Sequence, residues 1–125
     1  MLVFIGSTLG ERMIDFSCKR FELNEIIKCA LGLTKTEVKL FLFLKEEEFY
    51  LTTKELADKC QVDLTTAQKA VKKLSTQEIM QKRQENLTGG GYQFVYKMKS
   101  KKYVSHIIME KVQFWVSHVK KELCL

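Results

Sequence analysis

The stretch TTKELADKCQVDLTTAQKAVKKLST, residues 52–76, decides the fold of this chain. It opens with Thr52 and, three residues later, Glu55, a capping-box pattern whose hydroxyl and carboxylate can satisfy unpaired backbone N–H groups at a helix start. Asp63 can cap a second helix, which runs to about Thr76. Because only about three residues separate the two predicted helices, the stretch predicts a helix-turn-helix.

The second predicted helix has two faces of different chemistry. Four small or apolar residues recur at i, i+3, i+4 and i+7, which predicts a buried stripe: Ala67, Ala70, Val71 and Leu74. At about 100° per residue, the opposite face carries only hydroxyls, one amide and lysines: Thr65, Thr66, Gln68, Lys69, Lys72, Lys73 and Thr76. No carboxylate interrupts that face, so it suits a helix that lies in the major groove of DNA.

The hydrophobic pattern changes from helical to alternating after this helix. Residues 79–85 predict one strand, residues 86–91 a turn with three glycines, and residues 92–98 a second strand. The result is a β-hairpin with a glycine tip that can approach a phosphate backbone or a minor groove. Four basic residues bracket the tip and are predicted to contact the backbone, which positions a protein without specifying sequence: Lys82, Arg83, Lys97 and Lys99.

Two more helices are predicted before the helix-turn-helix. The first covers residues 22–31 and ends at Gly32, where a C-cap glycine belongs. The second follows the capping-box pattern Thr34-Lys35-Thr36-Glu37 and ends near residue 46, and its wide apolar circumference predicts the most buried helix. Residues 1–20 show no clean period and are left uninterpreted, with a short strand, an arm exchanged between subunits and a mobile end all open.

A final helix over about residues 101–123 carries two apolar stripes. The main stripe is predicted to be the dimerisation surface: Val104, Ile108, Val112, Trp115 and Val119. Ile107 and Phe114 form the neighbouring stripe, and the alternative for these two is that they cover the chain's own core. A terminal helix on so small a domain cannot hide both stripes, so we expect one to pack on a second copy of the chain.

Positive charge is concentrated in the same region. The chain has 125 residues, 46% of them hydrophobic, which is enough for one folded domain with one core. Its formal net charge is +6, yet residues 64–102 alone hold nine basic and two acidic residues. Such a segregated positive surface is the electrostatic footprint of a nucleic-acid-binding protein.

Several function classes are not expected. The first residues lack the charged start of a secretory signal, and no run approaches the roughly 18 apolar residues of a membrane span. The four cysteines show no pair or zinc spacing, and His106 and His118 are twelve positions apart, so we expect free thiols, no metal and a cytoplasmic location. No nucleophile with an arranged base, phosphate-binding glycine loop or paired carboxylates is recognisable, so we expect neither an enzyme nor a cofactor.

The stretch from Leu33 to Tyr96 resembles the winged helix-turn-helix domain of the MarR and TrmB-like transcriptional regulators, especially small archaeal members. The matching segments are residues 33–37, 53–57, 62–67, 71–74 and 90–96. Two features depart from the family pattern: Gln77 and Glu78 stand where a glycine is common before the first wing strand, and lysines stand where arginines are frequent. The resemblance implies an α+β, mostly helical fold, with a winged helix-turn-helix domain at residues 21–99 and a dimerisation helix at residues 100–125.

The resemblance also implies a homodimer that binds double-stranded DNA and regulates transcription. Residues 63–76 would enter the major groove, and residues 79–98 would lie on the backbone or the minor groove. The predicted DNA-binding set is Thr53, Lys54, Thr65, Thr66, Gln68, Lys69, Lys72, Lys73, Lys82, Arg83, Lys97 and Lys99. Two alternatives stay open, a protein-interaction module inside a larger transcription or repair assembly, and a thiol- or ligand-responsive sensor.

Overall fold

A computed structural model describes residues 13–124 of the chain. Predictions that fall on residues 1–12, including most of the segment interpreted as an exchanged arm, lie outside the described residues. Strand β1 (Met13–Asp15) pairs antiparallel with β2 (Arg20–Glu22), with Ile14 opposite Phe21. Of the three interpretations of residues 1–20, the short strand is therefore the one found for residues 13–15.

Five helices and a second hairpin follow these strands. The helices are α1 (Leu23–Leu31), α2 (Lys35–Glu46), α3 (Thr53–Cys60), α4 (Leu64–Thr76) and α5 (Lys101–Cys124). The hairpin consists of β3 (Met80–Asn86) and β4 (Tyr92–Met98) and lies between α4 and α5. The predicted class, α+β and mostly helical with a long C-terminal helix, is confirmed.

The predicted caps begin the central helices. Thr34 accepts from the backbone N–H of Glu37 at 3.1 Å and donates its own N–H to the Glu37 carboxylate at 2.8 Å. Thr52 and Glu55 make the same reciprocal pair before α3, and Asp63 accepts from Thr66 N–H before α4. Three residues separate α3 from α4. Helices α3 and α4 therefore form the predicted helix-turn-helix. Their caps could be predicted because short-range hydrogen bonds of this kind depend on local sequence.

Three helices end in a left-handed residue, and only one of these residues is glycine. Gly32, Gln61 and Glu78 have φ values of 65°, 57° and 63°. Each is followed by a residue whose N–H bonds back to the last turn of the helix, as Ile79 does to the carbonyl of Leu74 at 3.0 Å. A non-glycine residue in this conformation costs about 1–2 kcal/mol. Leu74 and Ile79, which the Glu78 turn connects, are both fully buried. Glu78 therefore occupies the left-handed position of the turn between α4 and the wing.

The core lies between the helix-turn-helix and α2. From α2 it receives Leu40, Phe41 and Leu44, which are among its largest fully buried side chains. The predicted buried stripe of α4 is confirmed: Ala67, Ala70, Val71 and Leu74 are all buried. The two alanines of α4 have no exposed surface, which allows close packing while the opposite face of the helix stays in solvent.

The hairpin is anchored at its base and free at its tip. Met80 pairs with Met98 at the base, and both are buried in the core cluster. Leu51 adds a one-residue bridge beside β4 through two hydrogen bonds with Tyr96, of 2.9 and 2.7 Å. The first strand begins one residue later than predicted because Ile79 belongs to the turn that ends α4.

The terminal helix α5 divides along its length rather than into two stripes. Val104 is buried in the chain's own core, and Ile108 packs against it, so the prediction that these two form a dimer surface is corrected. Beyond them α5 outruns the domain: Phe114 is 66% exposed and Trp115 62% exposed. Phe114 therefore does not cover the core either. Within residues 13–124, none of the helices combines the length and the apolar character needed to cross a membrane.

Candidate nucleic-acid interface

The outer face of α4 is open to solvent along its length. Thr65, Gln68, Lys69 and Lys72 are exposed, and Thr66 is half-buried beneath the cap of the helix. Among the residues that the structure describes, the side chains of Gln68, Lys69 and Lys72 have no hydrogen-bond or ion-pair partner. We call these three residues the recognition face. Their donors and positive charges are free to meet a ligand.

One predicted member of this surface is already engaged elsewhere. The Lys73 ammonium donates to Glu37 Oε1 at 2.7 Å and to the backbone carbonyl of Gly32 at 3.2 Å. Lys73 retains only partial exposure, whereas the Glu37 side chain is buried. Lys73 therefore ties α4 to the start of α2, in contrast with its predicted role as a free contact to DNA. The sequence predicts only the capping role of Glu37, because the capping-box pattern explains that residue without a distant partner.

Glu37 is the buried charge that Lys73 neutralises. Burial by itself raises the pKa of the Glu37 carboxyl, but the hydrogen bond from Lys73, the backbone N–H of Thr34 and the Lys73 charge together lower it below the ordinary 4.5. The carboxylate is thus ionised at neutral pH and holds both helices. A buried ion pair of this kind fixes the relative position of α2 and α4.

We expect Glu37→Gln to lower the free energy of unfolding by roughly 2 kcal/mol at neutral pH, because hydrogen bonds to charged partners are lost. A lowered native pKa stabilises the fold above the ordinary carboxyl pKa, and this contribution disappears as the pH falls through the native value. The difference between wild type and variant should therefore shrink below about pH 4.5. Urea unfolding at several pH values measures both effects.

Glu55→Gln provides the matched control for this experiment. Glu55 has the same capping-box position in α3, but it is exposed, and among the described residues its carboxylate bonds only the local Thr52 N–H. The control should lose much less stability than Glu37→Gln. Equal losses in the two variants would show that capping, and not the link to Lys73, accounts for the effect.

Two carboxylates lie close to the recognition face: Glu37, which is paired with Lys73, and Asp63 at the start of α4. Hydrogen bonds from Thr66, through its side chain and its backbone N–H, lower the pKa of Asp63 below its ordinary value. The side chain is thus occupied as a helix cap. Thr53 and Lys54, predicted from the family resemblance, lie in the first turn of α3, where Thr53 is half-buried and Lys54 exposed.

The wing cations lie on two different faces of the hairpin. Arg83 and Lys97 share one face, where the Arg83 guanidinium carbon lies 3.9 Å and the Lys97 ammonium 5.9 Å from the centroid of the Tyr50 ring. The Tyr50 hydroxyl also bonds Gln81 at 3.3 Å. Cation–π contacts hold the two charges in place. Tyr50 was not predicted, and the only signal for it is an aromatic residue directly before the bridging Leu51.

The two remaining wing cations are separate from this cluster. The Lys82 ammonium lies over the Phe94 ring, 4.0 Å from its centroid, on the opposite face of the hairpin. Lys99 follows β4 and stacks on Tyr103 of α5 at 4.8 Å. The structure therefore brings together Arg83 and Lys97, and it does not bring together all four predicted backbone contacts.

The thiols do not converge on a site within the described residues. Cys60, at the corner of the helix-turn-helix, is buried, and burial raises the pKa of its thiol, although the charge of Lys39 acts in the other direction. A protonated, buried thiol reacts slowly, so Cys60 is a poor candidate for a redox sensor. Cys18, Cys29 and Cys124 are exposed. Within residues 13–124 no three histidine, cysteine or acidic side chains lie close enough together to hold a metal ion.

Comparison with protein families matches residues 21–119 to the DnaD N-terminal domain. Two uncharacterized proteins of Methanocaldococcus jannaschii are similar to the chain over most of their length. One is 30% identical over 105 residues, which cover 84% of this chain and 86% of that protein. The other is 23% identical over 114 residues, 90% of this chain and 85% of that protein.

Two solved structures are similar in fold. A protein of Methanosarcina mazei Go1, named a possible transcriptional regulator, superimposes with a TM-score of 0.81 and 42% identity, covering 90% of this chain and 95% of its own. A protein of the thermoacidophilic archaeon Sulfolobus tokodaii gives a TM-score of 0.62 at 22% identity, over 76% of this chain and 92% of that one. The similarity to the Methanosarcina mazei protein agrees with a winged-helix-like arrangement. The similarity to the Sulfolobus tokodaii protein concerns the fold alone.

Proposed function

The chain belongs to the DnaD N-terminal domain family, and from this premise and the open recognition face we propose that it binds double-stranded DNA and regulates transcription. The observation that carries the proposal is that Gln68, Lys69 and Lys72 project together from α4 into solvent, without hydrogen-bond or ion-pair partners among residues 13–124. Glutamine can read adenine, and lysine can reach guanine acceptors or phosphates. The name of the similar Methanosarcina mazei protein supports a regulatory role.

The mode of binding follows from the helix-turn-helix. Helix α4 enters the major groove, and Arg83 and Lys97, held on Tyr50, contact the backbone beside it. The protein acts in the cytoplasm without catalysis, in the manner of the MarR and TrmB-like regulators that its sequence resembles. Lys73 contributes through the position of α4 and not through direct contact.

A homodimer is part of this proposal. The end of α5 supports it, because Trp115 and Phe114 expose large apolar surfaces that a soluble monomer rarely leaves open. Two copies joined along this helix would place their α4 helices on half-sites about 34 Å apart on one face of the duplex. The same exposed surface also fits the second candidate function, a module that docks a different protein in a transcription or repair assembly.

Fluorescence anisotropy of a labelled duplex from the chain's own upstream region, titrated between about 50 and 200 mM salt, tests the proposal. Lys69, Lys72, Arg83 and Lys97 provide up to four phosphate contacts in each subunit, so the logarithm of affinity should fall with the logarithm of salt with a slope near −3.6 for each bound subunit. Absence of duplex binding at the lowest salt, together with a monomeric mass, would favour the protein-docking module instead.

A further inference from the structure

The free end of the wing has two chemically different faces. Residues directly opposite each other in an antiparallel pair point to the same side of the hairpin, and neighbours along a strand alternate. One side beyond the buried base combines two aromatic rings, two amides and a lysine. We call it the aromatic wing face, and its members are Lys82, Gln84, Asn86, Tyr92 and Phe94. Tyr96, opposite Lys82 on the same side, packs against the core and is not counted as part of this face.

The two rings of this face are held in place and partly exposed, with the Lys82 ammonium over one face of the Phe94 ring. Tyr92 is 57% exposed and Phe94 37% exposed, and their centroids lie 5.4 Å apart at an interplanar angle of 70°. At the base of the hairpin the same side is occupied by Met80 and Met98, which are buried in the core. The rings therefore stand beyond the end of the core and contribute little to it.

The charge pattern of the hairpin selects the kind of partner. Glu85 is the single acidic residue of β3 and β4, and it lies on the opposite side, where it accepts a hydrogen bond from Gln93 at 2.9 Å. The aromatic wing face holds no carboxylate, and the Lys82 ammonium sits over the Phe94 ring. Exposed rings beside a cation and neutral amides suit a polyanion whose planar groups can stack.

Intact duplex DNA does not offer such planar groups. Its bases are stacked on one another, so the grooves expose only base edges. An aromatic ring can lie flat on a base only where that base has lost a stacking neighbour, as in a melted, flipped or single-stranded segment. The amides of Gln84 and Asn86 can then bond the exposed base edges, and Lys82 can reach the adjoining phosphate.

We propose that the aromatic wing face stacks on unpaired DNA bases, so that the protein prefers a duplex next to an unpaired segment over a continuous duplex. The inference rests on the proposed function, because the recognition face supplies the contact to the paired part. One base stacked on a protein ring changes affinity by about tenfold. The protein would thus read the melted state of DNA in addition to its sequence.

The experiment compares three DNAs of equal length by fluorescence anisotropy: a continuous duplex, a duplex with a short central bubble, and a single strand. Wild type should bind the bubble about tenfold more tightly than the continuous duplex. A 2-aminopurine placed in the bubble should lose fluorescence when a protein ring stacks on it. Phe94→Leu, which keeps an apolar side chain without a ring, should remove most of the preference and the quenching.

Gln93→Ala is the matched control, because Gln93 lies between the two aromatic residues on the same strand but faces the other side. It should leave the preference for the bubble unchanged. Tyr92→Leu provides a second ring deletion at a more exposed position, and thermal unfolding of each variant verifies that the hairpin is intact. Sedimentation of Phe94→Leu determines whether the face instead contacts a second copy of the chain.

The outcomes separate this inference from the proposed function. Equal affinity for bubble and continuous duplex, or a preference that both ring deletions retain, overturns the inference and leaves duplex binding in place. A ring deletion that changes the oligomeric state of the free protein also overturns it. Binding to the bubble and the single strand without any binding to the continuous duplex supports stacking but overturns the proposed duplex-binding function.

Discussion

The Lys69→Ala/Lys72→Ala double variant is expected to bind a duplex that carries a single half-site, and so contacts one subunit, roughly 60-fold more weakly than wild type at about 0.1 M salt. Both lysines are exposed on α4 and have no partner within the described residues. Each lost phosphate contact removes about 0.9 from the slope of log affinity against log salt. The slope should therefore become shallower by about 1.8. Over the tenfold change from about 1 M to about 0.1 M salt, this difference in slope corresponds to roughly a 60-fold loss of affinity.

Anisotropy titrations between about 50 and 200 mM salt measure affinity and slope together. Alanine is a strong helix former, so both substitutions should leave the fold intact. Lys120→Ala/Lys121→Ala is the matched control, since it removes the same charge from the exposed end of α5. If the control weakens binding as much as the test variant, overall charge and not the recognition face governs binding.

Trp115→Glu is expected to convert the protein from dimer to monomer. Trp115 is a large exposed apolar side chain on the part of α5 that outruns the domain, with Phe114 and Val116 exposed beside it. Truncating a central aromatic residue of an interface commonly costs 2 kcal/mol or more, which corresponds to an increase of about 30-fold in the dimer dissociation constant. A buried charge adds to this cost.

Sedimentation equilibrium over a range of protein concentrations gives the dissociation constant directly. Ser117→Glu adds the same charge two residues later, opposite Trp115 but beside Phe114, and should weaken the dimer less than Trp115→Glu does. Trp115→Glu should also lose affinity for a duplex with two half-sites while it keeps most of its affinity for a duplex with one half-site. A wild type that stays monomeric at high concentration would refute the dimer and favour docking of a different protein.

The helices of this protein could be predicted from sequence because their determinants are local. Thr52 and Glu55 form their capping hydrogen bonds within one helical turn, and the alanine stripe of α4 follows from the helical period alone. The same holds for the β-hairpin, in which alternation and three glycines mark strands and tip. The prediction of an outward recognition face depended only on these features.

The contacts between elements could not be predicted, because they depend on how distant segments dock. Glu37 and Lys73 are 36 positions apart, and both have adequate local interpretations, as a cap and as a free surface lysine. Tyr50 finds Arg83 and Lys97 only once Leu51 joins the edge of β4. Whether Val104 is buried in the core or exposed likewise depends on how α1 and α5 pack, which the hydrophobic period does not reveal.

The ring of Tyr50 has a thermodynamic consequence. A long cationic side chain that is mobile in the free protein loses rotamer freedom when it binds, at a cost of roughly 0.5–1.5 kcal/mol each. Arg83 and Lys97 already lie near that ring in the absence of ligand. Much of their loss of rotamer entropy therefore occurs when the protein folds and not when it binds DNA. Calorimetry of DNA binding should then show the favourable entropy of counterion release, with little opposing entropy cost from ordering the Arg83 and Lys97 side chains.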